Sequence, residues 1–183
     1  MGSGTHPNLS LAGFTGHGYD KGRNVATQIL WQIASAIIQQ WWFPSGARVA
    51  VLRLFGASIG KNVLIRHRVR IHWPWKLVVG DSCWVGEGAW LLNLEKITIG
   101  TNVCISQDAL LCTGSHLRSS ATFEFDNGAI SIGDAAWICC RAIVLRGVTV
   151  GSHAIVGAGS IAHRDLNDYS MLEAPKSVER KNA

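Results

Sequence analysis

The hydrophobic pattern changes character part-way along the chain. From Val25 to Ala47 no charged residue occurs, and Ile29, Ile33, Ala36, Ile37 and Trp41 recur at spacings of three and four, which predicts a helix. Arg48 to Phe55 continues as a shorter basic and apolar segment, so two helical pieces are expected, separated near Pro44-Ser45-Gly46. From Ile59 a different beat takes over. Aliphatic residues open successive six-residue units at Ile59, Ile65 and Ile71, then Val79, Val85 and Leu91, then Ile99, Ile105 and Leu111, each triplet displaced by twenty residues from the one before. After an interruption the beat resumes at Ile132, Ile138 and Val144, and again at Val150, Val156 and Ala162.

Glycine often follows the aliphatic residue, as at Gly60, Gly80, Gly100, Gly133 and Gly151, and a small or branched residue returns four positions after the aliphatic one. A helix cannot hold a six-residue beat on one face over so long a stretch, whereas a short strand and a turn supply two inward positions per six residues. Three flat faces close one coil, and coils stacked at roughly 4.8 Å bury both inward positions and pair each backbone with its neighbours. The pattern therefore predicts an all-β, triangular parallel solenoid of about five coils. Residues 1–57 read as an irregular arm and an N-terminal helical cap, 58–168 as the repeat with an interrupting loop at 117–128, and 169–183 as an extended C-terminal tail. Residues 1–24, rich in Gly, His, Asn and Ser without an apolar period, are expected to have little order.

Composition narrows the partners. Hydrophobic residues make up 48% and charged residues 16%, which excludes a disordered chain. The net charge of +5 favours anionic partners, but the basic residues form no run and no aromatic-and-basic strip, so nucleic acid is not indicated. Five cysteines without a C-x-x-C pair, and no signal-like start, fit a reducing cytoplasm better than a secreted disulfide framework. The uncharged N-terminal stretch carries Thr27, Gln28, Gln32, Gln39 and Gln40, too polar for a membrane span. Two readings of it stay open: a cap over the end of the column, or a peripheral membrane contact with Trp31, Trp41, Trp42 and Phe43 at a bilayer surface and Arg48 and Arg53 as anchors.

The repeated aliphatic-Gly pattern resembles the hexapeptide-repeat acyltransferases, whose strands wind into a left-handed parallel β-helix. Trp73-Pro74-Trp75-Lys76-Leu77, Asn93-Leu94-Glu95-Lys96-Ile97-Thr98-Ile99-Gly100, Cys104-Ile105-Ser106-Gln107 and Leu111-Cys112-Thr113-Gly114-Ser115-His116 are similar to the colanic-acid, exopolysaccharide O-acetyltransferase type. The resemblance implies transfer of an acetyl group from acetyl-CoA, without a metal, to a sugar or glycan-precursor acceptor in a cytoplasmic homotrimer, direct from donor to hydroxyl. It makes His116 the general base. A neutral imidazole can accept the proton of a sugar hydroxyl as the oxygen attacks the thioester carbonyl. The resemblance further implies acceptor contact at Asn93, a channel wall at Trp137, and coenzyme A contacts at Cys140, Ala142, Ala158, His163, Arg164 and Arg180. The chain departs from the family where an acid often follows the catalytic histidine; here that position is Leu117, so another group must orient the ring.

Two other classes are compatible with parts of the sequence. His67 and His72 prompt a β-helix carbonic anhydrase, which would need a third zinc ligand in register. A non-catalytic solenoid that binds a partner through a flat face would need regular outward residues and no loop.

Overall fold

The computed structural model describes residues 9–174. Every strand is short because every face is short: two or three residues, then a corner. The first face stacks Ser58–Ile59, Leu77–Val79, Ile97–Ile99, Ile130–Ile132 and Thr149–Val150. The second stacks Leu64–Ile65, Trp84–Val85, Cys104–Ile105, Trp137–Ile138, Ile155–Val156 and Met171–Leu172. The third stacks Arg70–Ile71, Trp90–Leu92, Leu110–Cys112, Ile143–Leu145 and Ile161–Ala162. All these pairings are parallel, and the register places Ile59 on Val79, Val79 on Ile99, Ile99 on Ile132 and Ile132 on Val150. The aliphatic residue of every sequence triplet is buried in this column.

Two features of the repeat explain its corners. The residues at one stacked corner, among them Asn62, Ser82 and Asn102, adopt φ near +57°, a left-handed conformation in which Asn is least strained. The glycine after the aliphatic residue lies where successive coils nearly touch: a Cβ on Gly80 would come within 2.6 Å of the Gly100 carbonyl oxygen. Aspartates beside this corner tie coils together, Asp81 accepting from the Lys61 N–H at 2.6 Å and Asp134 from the Thr101 N–H at 2.7 Å.

The segment read as an extended tail begins a sixth coil. Leu166 bridges to Val150, and Met171–Leu172 extends the second face in register with Ile155 and Val156. The column thus has about six turns, five complete. The six-residue beat fades there because Leu166 and Leu172 pack only on the outermost coil.

Helices α1 (Val25–Ile38) and α2 (Ser45–Leu54) cover the opposite end. The Asn24 side chain caps α1 by accepting from the Thr27 N–H at 2.9 Å. Trp31 and Ile38 bury against the column, and the Trp31 indole donates to the His72 carbonyl at 2.8 Å. Two of the expected bilayer anchors are thereby corrected. Trp31 is core, and Arg48 is buried, its guanidinium donating to the carbonyls of Ile38, Gln40, Phe43 and Ile65 and so tying the helix ends to the first coil. The Ile29, Ile33 and Ile37 stripe faces outward.

The arm is also more ordered than its composition predicts. A 3-10 turn at Leu11–Gly13 leads residues 9–24 across the loop that interrupts the repeat, held by contacts that no local pattern encodes.

Candidate active site

His116 stands where the repeat breaks. After Leu110–Cys112 the chain turns at the corner between the third and first faces and runs out and back. The Leu117 N–H donates to the Glu124 carbonyl and the Asp126 N–H to the Ser115 carbonyl, each at 2.8 Å, while His116 and Phe125 form an antiparallel bridge. The base of this excursion is pinned: the buried Thr113 hydroxyl donates to the Leu92 carbonyl and accepts from the Glu95 N–H, both at 2.9 Å, and Asp126 pairs with Arg146 of the next coil.

The imidazole is half-buried and stacks on Phe123, with ring centres 4.3 Å apart and planes 7° from parallel. Phe125 stacks at 5.1 Å and Phe14 meets the ring edge-on at 5.7 Å. His116 Nδ1 lies 2.7 Å from the Phe123 carbonyl oxygen. A carbonyl only accepts, so Nδ1 carries the proton, and in the neutral ring Nε2 keeps its lone pair. The group that Leu117 does not supply is therefore a backbone carbonyl.

The arm forms a second wall that the sequence reading missed. The Ser10 N–H donates to the Ala121 carbonyl at 2.8 Å, and the Thr15 N–H and hydroxyl both donate to Glu124 Oε1, at 3.2 and 3.1 Å. Tyr19 packs on Phe125 and its hydroxyl accepts from the Trp73 indole at 2.6 Å. Burial pushes the Glu124 carboxyl up, but the hydrogen bonding it receives, led by the Thr15 N–H, outweighs this and leaves it below the ordinary carboxylate value. Burial, above all, raises the Tyr19 phenol. The only sequence signal for this wall was two aromatics, Phe14 and Tyr19, in an otherwise polar arm.

The other expected site residues are scattered. Asn93 is 0% exposed, its carbonyl accepting from the His72 and Trp73 N–H groups and its amide donating back to the Trp73 carbonyl. An amide so engaged reaches no sugar in this protomer; it clamps the backbone before Pro74–Lys76. Trp137 is 47% exposed on the second face, its indole donating to Ser106 Oγ at 2.9 Å. Cys140, Ala142 and Ala158 gather at the corner between the second and third faces, where the Gly159 N–H donates to the Cys140 carbonyl. Ala142 is buried with its N–H given to Cys139 and its carbonyl to Leu110, whereas Cys140 and Ala158 are exposed. His163 and Arg164 line a cavity of about 310 Å³ at the C-terminal end of the column. Arg180 lies outside the described residues.

His67 and His72 do not converge on a metal. His67 Nε2 is 3.1 Å from Glu87, and the His72 ring packs on Trp73. Among the described residues no group of three or more His, Cys, Asp or Glu side chains is placed to hold one.

No family model matches the chain. Over 160 residues it is 41% identical to the Escherichia coli K12 protein named for colanic acid biosynthesis, the acetyltransferase WcaF, an alignment covering 85% of this chain and 87% of that one. The chain belongs to the hexapeptide-repeat acetyltransferases. A more distant relative of this acetyltransferase is the galactoside O-acetyltransferase of Escherichia coli K12, 26% identical over 124 residues, covering 65% of this chain and 60% of that one. Among solved structures, the hexapeptide-repeat acetyltransferase VCA0836 of Vibrio cholerae, complexed with acetyl coenzyme A, matches with a TM-score of 0.77 at 20% identity, over 91% of this chain and 94% of that one. A galactoside acetyltransferase complexed with coenzyme A matches with a TM-score of 0.74 at 21% identity, over 85% and 80%. At these identities the structural likeness is one of fold.

Proposed function

We propose that this acetyltransferase moves an acetyl group from acetyl-CoA to a sugar hydroxyl of an exopolysaccharide or capsule precursor, with His116 as general base. The observation that carries the reading is the tautomer fixed by the Phe123 carbonyl, which leaves Nε2 as the one ring nitrogen able to accept a proton. Nε2 takes the hydroxyl proton as the sugar oxygen bonds to the thioester carbonyl carbon. The tetrahedral intermediate then collapses, the carbon–sulfur bond breaks, and the departing thiolate takes the proton back from the imidazolium. The aromatic surround of Phe14, Phe123 and Phe125 holds the ring plane while this happens.

The working unit in this reading is a homotrimer. The outward residues of the first face are mostly polar, Ser58, Val78, Thr98, Ser131 and Thr149, as a solvated face should be. Those of the second are Leu64, Trp84, Cys104, Trp137, Ile155 and Met171, an apolar ladder the height of the column. Trp90, Leu110, Ile143 and Ile161 make a similar ladder on the third. His116 at one corner and Trp137 on the second face are apart within one protomer. A three-fold ring sets the His116 corner of one copy beside the Trp137 face of the next, and the coenzyme lies between them. Cys140 and Ala158 offer it the exposed corner, and His163 with Arg164 its phosphates; Ala142 shapes that corner from inside. Arg180 is proposed on the resemblance alone. The proposed location is the cytoplasm, at the inner face of the membrane.

The test is incubation with acetyl-CoA and candidate glycan precursors, following free thiol and product mass. Thiol release that depends on a glycan, with an added acetyl mass, supports the reading; release without an acetylated glycan overturns it.

A further inference from the structure

The helical cap has one face that no other part of the described residues covers. Trp31, Ala34 and Ile38 turn α1 toward the column, so Val25, Ile29, Leu30, Ile33 and Ile37 project from the opposite side, all exposed. The turn that follows presents Trp41, 79% exposed, and Trp42, 57% exposed. Single exposed apolar residues are ordinary, but a helix-long stripe ending in a tryptophan pair is not.

Charge is distributed to match. Residues 1–80 hold nine Lys and Arg against one acidic residue, Asp20, a balance of +8; residues 81–183 hold eight against eleven, a balance of −3, and together they give the +5 of the whole chain. Seven of those nine are exposed, Arg48 being buried and Lys76 partly so. Several border the cap: Arg23 precedes α1; Arg53 ends α2, its exposed guanidinium resting on the Ile59 and Gly60 carbonyls; and Arg68, whose backbone N–H donates to the Gln39 carbonyl beside the tryptophan turn, holds an exposed guanidinium 3.4 Å from Glu87. A cleft of about 370 Å³ opens there between Trp41, Trp42 and Phe43 on one side and Arg66 and His67 on the other.

We propose that this end of the molecule docks on an anionic lipid bilayer, with the α1 stripe in the interface, Trp41 and Trp42 at headgroup level, and Arg23, Arg53, Arg66 and Arg68 against lipid phosphates. Tryptophan suits the boundary because its ring is apolar and its N–H polar. Among the described residues no helix is long and apolar enough to cross a membrane, and α1 lies on the surface of the column rather than projecting from it. The proposal deepens the location given above and does not depend on His116 chemistry; lipid binding and acetyl transfer are read separately.

The test is flotation of the full-length protein with vesicles of phosphatidylcholine alone or with about a third phosphatidylglycerol. Binding to the anionic vesicles only, weakened by salt, is expected. Ile29→Glu with Ile33→Glu abolishes it, Trp41→Ala with Trp42→Ala weakens it at least tenfold, and Arg66→Gln or Arg68→Gln, each removing one charge, weakens it by about fivefold. Transfer to a water-soluble acceptor stays at the wild-type level in all of these. Wild-type protein that does not float with anionic vesicles at low salt overturns the proposal. So does a double glutamate variant that still floats, or one that fails to float because its oligomer has come apart, since α1 is then a contact between copies.

Discussion

At the scale of single residues, the proposed base and the expected acceptor contact occupy opposite surroundings: His116 is half-buried in the loop and Asn93 is fully buried in the column. His116→Ala is expected to lower the rate of acetyl transfer by about 100- to 10,000-fold while circular dichroism and melting stay as in the parent, because the ring is held by the loop and holds little in return. Unchanged turnover would remove it from the mechanism. Asn93→Ala should do the reverse. It leaves the Trp73 N–H without a partner inside a closed coil and removes one of two bonds at the His72 N–H and at the Trp73 carbonyl, which costs about 1–3 kcal/mol in denaturant unfolding. The acceptor KM should move little; a large rise in KM at unchanged stability would return Asn93 to the sugar site. The two side chains looked alike in the sequence, each a polar residue at a break in the beat. What separates them is the path of the chain: His116 lies in the excursion that leaves the coil, whereas Asn93 lies within the coil with both amide atoms bonded to its backbone.

At the scale of elements, strands were legible and the arm was not. A strand here is fixed by its own six residues and by identical neighbours twenty residues away, so periodicity alone locates it. The arm is fixed by the loop, over a separation of about a hundred residues, through one backbone bond, one carboxylate and a few rings. The helices fell between: their lengths could be read from spacing, but which stripe turned inward depended on Trp31 finding the His72 carbonyl. The arm clasp also has a pH dependence of known sign. Because Glu124 titrates below the ordinary carboxylate value in the folded protein, the clasp contributes fully above that ordinary value and is lost as pH falls through the depressed one. Protection of the Ser10 and Thr15 amides against exchange should drop together across that acid window. Glu124→Gln should loosen both at neutral pH and abolish the acid step; Ser10 protection that ignores the substitution would mean that this end of the arm is held by its own bond to the Ala121 carbonyl and by the aromatics, not by the carboxylate.

At the scale of the whole molecule, a prism with one largely polar and two largely apolar faces is what the proposed ring needs, since neighbouring copies would cover the apolar ones. No strand register brings the corner that carries His116 onto the face that carries Trp137, since one complete face separates them in either direction around the coil. If the site is built from two copies, defects in different copies can be separated by mixing. Trp137→Ala is expected to lower kcat/KM for acetyl-CoA about tenfold, from loss of an aromatic wall at an interface. Combine it in equal amounts with His116→Ala under conditions where trimers re-form at random. A given site draws its histidine from one copy and its tryptophan from the neighbour, so about a quarter of sites receive both intact. Activity should then rise to about a quarter of wild type, several times the mean of the two parents. If both residues served the same protomer's site, every site would carry one defect and mixing would give the parental mean and no more. The experiment reads the ring directly, and it separates a site shared between copies from one that a single column completes alone.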